Sequence, residues 1–129
     1  MVVEIVLRRS PDECYREFCD VRTARLWLPG LKKVRVARDD ARGRALEATY
    51  ELGDALSYAL VYAYDDEARK VRWVPSAGLL DGVSGYAEFA PHPEGCRFTY
   101  ALESVRGRSP HHAEEVARAF AAYVARSQA

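Results

Sequence analysis

The sequence predicts an α+β fold: a curved antiparallel sheet of about seven strands wrapped around a long C-terminal helix, with two short helices after the first strand. Three observations carry this expectation. Segments of strand character, each bounded by turn residues, occupy the chain from Leu31 to Val105. Their close spacing favours antiparallel hairpins over parallel crossovers, which need longer connections. One amphipathic stretch, Ser109 to Ala129, comes last and supplies a long helix to cover the sheet.

Met1 to Arg9 is rich in β-branched residues (Val2, Val3, Ile5, Val6) and suits a strand. Ser10-Pro11-Asp12-Glu13 then starts a helix: Ser10 caps it, Pro11 occupies the first turn, and Glu13 completes a capping box. That helix turns Cys14, Tyr15 and Phe18 inward and ends near Asp20. A second short helix, about Thr23 to Leu28, is halted by Pro29-Gly30, leaving Trp27 and Leu28 to plug one end of the fold. Strands follow at Leu31–Arg38, Ala45–Leu52, Ala55–Tyr64, Lys70–Pro75, Val83–Ala90 and Cys96–Val105. In the last helix, Ser109 is the cap and Pro110 the first turn. Ala113, Val116, Ala117, Phe120 and Val124 form the inner stripe, flanked by Tyr123, while Glu114, Glu115, Arg118 and Arg126 take the other face. Much of that stripe is alanine, which fills little volume, so a curved sheet closed by this helix could enclose a hollow.

The 129 residues suit a single domain, residues 1–129, large enough to bury roughly two-thirds of its unfolded surface. A formal net charge of zero gives no global field favouring nucleic acid or an anionic membrane. The local basic run Lys32, Lys33, Arg35 and Arg38, and Arg106 with Arg108, suit a solvated strand edge and loop. Cys14, Cys19 and Cys96 form no CxxC pair, and an odd count argues against a disulfide framework. A strand-like start carrying Glu4 is no signal peptide, and no apolar run approaches the ~20 residues of a membrane span. A cytoplasmic protein without integral membrane contact is expected.

Several motifs fix a resemblance. Val3-Glu4-Ile5 with Ser10-Pro11-Asp12-Glu13, Phe18-Cys19-Asp20 through Trp27-Leu28-Pro29-Gly30, Val71-Arg72-Trp73, and Glu88-Phe89-Ala90-Pro91 with the stretch Gly95 to Glu103 resemble the START-like, Bet v 1-like (SRPBCC) superfamily. The likeness is to its bacterial polyketide cyclase/dehydratase-like branch and covers essentially the whole chain. It implies a helix-grip fold whose sheet and last helix enclose a pocket for an apolar or amphipathic small molecule. The motifs are structural punctuation, specific for fold and weak for chemistry.

Strand parity sorts the side chains by face. Taking the apolar face as concave points Tyr50, Tyr58, Leu60, Tyr62, Trp73, Phe89, Phe98 and Tyr100 toward the helix, which adds Phe120 and Tyr123. In the last strand Cys96, Phe98, Tyr100, Leu102 and Ser104 share that face. Such a wall reads either as an ordinary core or as a ligand pocket with hydroxyls to orient its guest. The inward face carries no Asp, Glu, His or Lys, only phenols of ordinary pKa near ~10, which argues against acid–base catalysis. Glu51, Asp54, Asp81 and His92 are candidate titrating groups at the rims, the loop carboxylates being more simply read as turn formers. His111 and His112 point about 100° apart on a helix and chelate poorly, and His111 with Glu115 lacks a third ligand, so no metal or other cofactor is expected. The expected function is binding or transport of a small hydrophobic or amphipathic ligand, lipid- or polyketide-like. The alternatives are a polyketide cyclase/dehydratase-type enzyme and a protein-interaction module with a vestigial pocket. The residues leave a homodimer open.

Overall fold

The computed structural model describes residues 1–53, 56–76, 82–106 and 112–127. Strand β1 (Val2–Leu7) leads into helix α1 (Pro11–Cys19). Ser10 caps α1 as its sequence demands: Oγ accepts from the Glu13 N–H at 3.2 Å and donates to Glu13 Oε1 at 2.9 Å. The expected second helix is a 3-10 segment, Val21–Leu26, set earlier than Thr23–Leu28. Asp20 breaks the α geometry, and the backbone closes instead through tighter bonds such as Thr23 N–H to Asp20 O and Trp27 N–H to Ala24 O.

Six further strands form a meander: β2 (Leu31–Asp39), β3 (Ala45–Leu52), β4 (Ser57–Asp65), β5 (Lys70–Pro75), β6 (Gly82–His92) and β7 (Gly95–Arg106). The sheet is seven-stranded and antiparallel throughout, in the order β1-β7-β6-β5-β4-β3-β2, so β1 docks on the far end of the meander. The β2–β3 turn is built on Asp40, whose carboxylate accepts from the backbone N–H groups of Arg42 and Arg44. At the β6–β7 turn Gly95 has φ +139°, and a Cβ there would lie 2.5 Å from Leu7 O.

Helix α2 (Ala113–Ser127) lies against β1 and β7. Residues Ser109 to His111, where its cap was expected, lie outside the described residues, as do Asp54 and Asp81. The alanine stripe is buried as predicted, with Ala113, Val116, Ala117, Phe120 and Val124 all nearly inaccessible. Phe120 fills the space in front of it, meeting Phe98 at 5.2 Å and Phe18 at 5.2 Å between ring centroids. Phe89 stacks on Phe98 at 5.0 Å. The space in front of Phe120 is therefore packed aromatic core rather than a hollow. No helix among the described residues is long and apolar enough to cross a membrane.

On the outer face the parity assignment puts charges together. Arg35 pairs with Glu51 at 3.1 Å and Arg38 with Glu47 at 3.3 Å, across β2 and β3. A bulge in β7 breaks the parity run: Gly85 pairs with Leu102, but Ser84 pairs with Ser104. The strict alternation read from the sequence therefore holds in β7 only as far as Leu102.

Candidate functional site: an apolar cavity roofed by the first helix

A cavity of about 70 Å³ lies between the middle of the sheet and the α1–3-10 connection. Its floor is Tyr50 from β3, Tyr58, Leu60, Tyr62 and Tyr64 from β4, Val71 and Trp73 from β5, Val83 from β6, and Tyr100 and Leu102 from β7. Its roof is Phe18 and Cys19 from α1, Val21 and Ala24 from the 3-10 segment, and Trp27 and Leu28 beyond it. Helix α2 contributes Val116. The hollow expected between sheet and terminal helix thus lies to one side, because phenylalanines occupy the space before α2.

Six of the ten sequence-selected residues meet at this cavity: Tyr50, Tyr58, Leu60, Tyr62, Trp73 and Tyr100. Phe89, Phe98 and Phe120 belong instead to the packed core, each fully buried among aromatic rings. Tyr123 lies away from the cavity, its hydroxyl 3.4 Å from Glu17 Oε2. Sequence reasoning left out Phe18, Trp27, Leu28, Tyr64, Val71 and Val116 as lining residues. Tyr64 shares the parity of Tyr58 and Tyr62, and the Trp27-Leu28 corner reads as a plug, but neither tells how far along the strands a void sits.

The register explains the tyrosine cluster. Tyr50 faces Tyr58 across the β3–β4 pair, and their rings stack with centroids 5.2 Å apart. Next along the same face comes Ala48 opposite Leu60, then Tyr62. The small Ala48 lets the Tyr50 and Tyr62 phenols lean together until their hydroxyls bond. Tyr62 sits opposite Trp73 on β5, and Trp73 opposite Gly85 on β6. A Cβ at Gly85 would lie 2.1 Å from Ala101 O and 3.0 Å from the Trp73 indole, so this wall needs glycine there.

The lining is chemically quiet. Burial drives the pKa of Tyr50, Tyr58, Tyr62 and Tyr100 upward, so all four phenols remain protonated at neutral pH. Burial also pushes the Cys19 thiol up to about 12, which removes it as a nucleophile. Among the described residues no charged side chain lines the cavity. One polar atom stands out: the Trp27 indole N–H is buried and has no hydrogen-bond partner.

A second, more polar cleft of about 460 Å³ lies on the other side of Cys19 and Val21, which line both spaces. Most of its charged side chains are paired. Asp66 accepts from Tyr15 Oη at 2.9 Å, from Arg42 at 2.9 Å and from Arg44, while Arg44 Nε also reaches Asp40 at 3.0 Å. Arg22 Nη2 donates to both carboxylate oxygens of Asp39 at 3.1 Å. Arg44 stacks 4.3 Å from the centre of the Tyr64 ring, whose hydroxyl donates to Ala45 O at 2.5 Å. The rim groups singled out from the sequence stand elsewhere: Glu51 pairs with Arg35, and His92 Nδ1 accepts from Glu94 N–H in its turn. His112 and Glu115 are exposed at the start of α2, and His111 lies outside the described residues. Among the described residues no three His, Cys, Asp or Glu side chains are placed to hold a metal ion.

No family model and no curated sequence matches the chain. Solved structures do match over nearly the whole chain. A START superfamily protein from Mycobacterium smegmatis superposes with a TM-score of 0.78 at 13% identity, covering 98% of this chain and 97% of that one. A STAR-related lipid transfer protein from Xanthomonas axonopodis gives 0.68 at 12% identity, covering 96% and 84%. The Zhui aromatase/cyclase from Streptomyces sp. R1128 gives 0.67 at 12% identity, covering 99% and 85%. Identities this low speak to architecture, and with the seven-stranded antiparallel sheet and its terminal helix they establish that the chain has the helix-grip fold of the START superfamily.

Proposed function

We propose that the chain binds a small hydrophobic molecule in the cavity between the β3–β7 face and the α1–3-10 roof. The observation that carries this reading is an apolar void, edged by protonated phenols, beside a tightly packed aromatic core. A well-packed core of this size has few voids larger than a water. This one, at about 70 Å³, is roughly five times the space a single water needs.

Size limits the guest. The void is about half the ~150 Å³ of an engineered apolar cavity that takes up benzene. A ring-sized ligand must therefore push part of the wall outward, and a whole lipid or polyketide requires far more. The wall best able to give is residues 21–28, held by 3-10 bonds of poorer geometry than those of an α-helix. Leu26, 62% exposed on its outer side, has little packing to lose.

The lining supports binding over acid–base turnover. Cyclisation or dehydration wants a group that titrates near the working pH, and the described lining offers phenols and a thiol held well above it. The structures that share this fold include both a lipid transfer protein and a cyclase, so the fold alone does not choose between them.

Native mass spectrometry of freshly purified protein is the test. A non-covalent adduct of low mass that disappears on denaturation is the expected result. A bare chain mass with one stoichiometric protein partner would instead favour an interaction module. Substrate turnover that a single cavity substitution abolishes would favour the enzyme.

A further inference from the structure

We propose that the cavity selects uncharged molecules bearing a carbonyl-type hydrogen-bond acceptor, and that Trp27 reads that acceptor through its indole N–H. The inference rests on the binding reading above and adds the chemical class of the ligand. Trp27 closes the 3-10 segment at the edge of the cavity, its ring held against Phe18 at 5.7 Å and Phe120 at 5.0 Å between centroids. These rings pack against the indole, and its buried N–H has no protein partner there. An indole nitrogen only donates, and a donor buried without an acceptor is costly enough that folded proteins leave few of them.

The tyrosine pair points the same way. Two hydroxyls that bond each other use one of their two protons between them, whichever donates. The remaining proton is offered to a third group. Tyr50 and Tyr62 are fully buried beside the void, so a guest in the cavity is well placed to receive it. The site therefore supplies more donors than a hydrocarbon can use.

Charged guests fit worse. A carboxylate would leave water for a lining that holds no cation among the described residues, and the nearby Arg44 is already committed to Asp40, Asp66 and the Tyr64 ring. A cation would leave water for a lining that holds no carboxylate among the described residues. An uncharged ketone, ester or quinone satisfies the N–H without that desolvation cost.

The test uses three probes of one shape: acetophenone, its hydrocarbon isostere α-methylstyrene, and benzoate. Each is titrated into the intact protein by calorimetry and by two-dimensional NMR of the two tryptophan indole N–H signals. Acetophenone should bind about five- to tenfold more tightly than α-methylstyrene, with benzoate weakest, and should shift the Trp27 indole proton downfield. In Trp27→Phe, which keeps an aromatic ring against Phe18 and Phe120, the two neutral probes should bind equally. Equal binding to the wild-type protein, or an unmoved Trp27 signal, overturns the donor role while the cavity reading stands. If neither neutral probe binds, the cavity reading falls and this inference with it. Should Trp27→Phe fail to fold, the wild-type affinities and indole shift decide alone.

Discussion

The Tyr50 hydroxyl is hydrogen-bonded to that of Tyr62, across the Ala48–Leu60 pair that separates them on the concave face of the sheet. Both side chains are almost wholly buried, so this bond lies in surroundings where an unpaired partner finds no water. Removing one hydroxyl orphans the other. Tyr62→Phe should therefore cost about 1–3 kcal/mol, whereas the Tyr50→Phe/Tyr62→Phe double variant should recover much of that loss. A double-mutant cycle by urea denaturation measures it, and strict additivity of the two single changes would contradict the bond.

Alkaline stability follows from the same burial. Desolvation raises the folded-state pKa of Tyr50, Tyr58, Tyr62 and Tyr100 above the ordinary value of 10.0, and that of Cys19 from 9.0 to about 12. Groups with raised folded values stabilise fully below their unfolded pKa and lose that contribution as pH climbs toward the folded one. Stability should be flat to about pH 9 and fall steeply above it. Phenolate absorbance near 295 nm should show these tyrosines ionising only as the protein unfolds.

At the acid end the sign reverses. Hydrogen bonds from Arg44 and then Tyr15 hold the Asp66 carboxyl below the ordinary carboxylate range. A depressed carboxylate stabilises above its unfolded pKa, and that contribution is lost as pH falls below about 4 through the folded value. Asp66→Asn should lower stability at pH 7 and flatten the acid limb. The effect is modest, because the Asp66 side chain is 39% exposed and solvent screens its ion pairs.

Gly85 is the tightest point in the cavity wall. A methyl group there would overlap Ala101 O at 2.1 Å and press on Trp73. Gly85→Ala should destabilise by about 1–3 kcal/mol and shift the Trp73 fluorescence, as β6 and β7 part to admit it. A variant as stable as the parent would show that the strands approach less closely.

Most of the architecture was legible because local chemistry states it directly. Ser10-Pro11 with Glu13 marks the start of α1, and Asp40 and Gly95 mark hairpin turns. Alternation in β3 and β4 separated Tyr50, Tyr58 and Tyr62 from Glu47, Thr49 and Glu51, as the burial pattern has them. The rest depends on depth, which periodicity does not encode. Phe89 and Phe98 share a face with Tyr100, yet Phe18 and Phe120 pack into them and leave no space. The β7 bulge opposite Ser84/Gly85 likewise interrupts an alternation that the residues alone continue to Ser104. The roof is less legible, because the Trp27-Leu28 corner reads as a plug and only the folded chain sets it over the cavity with Phe18 and Cys19.

The apolar void itself is tested most directly by filling it. Ala24 lines the roof and is 4% exposed, so Ala24→Leu adds its extra carbons into a space of about 70 Å³. Toluene binding by calorimetry should be saturable in the wild-type protein and absent in Ala24→Leu, with the variant's melting temperature equal or higher. Wild-type protein that takes up no toluene, or a stable Ala24→Leu that binds it equally well, would contradict a ligand cavity beneath the first helix.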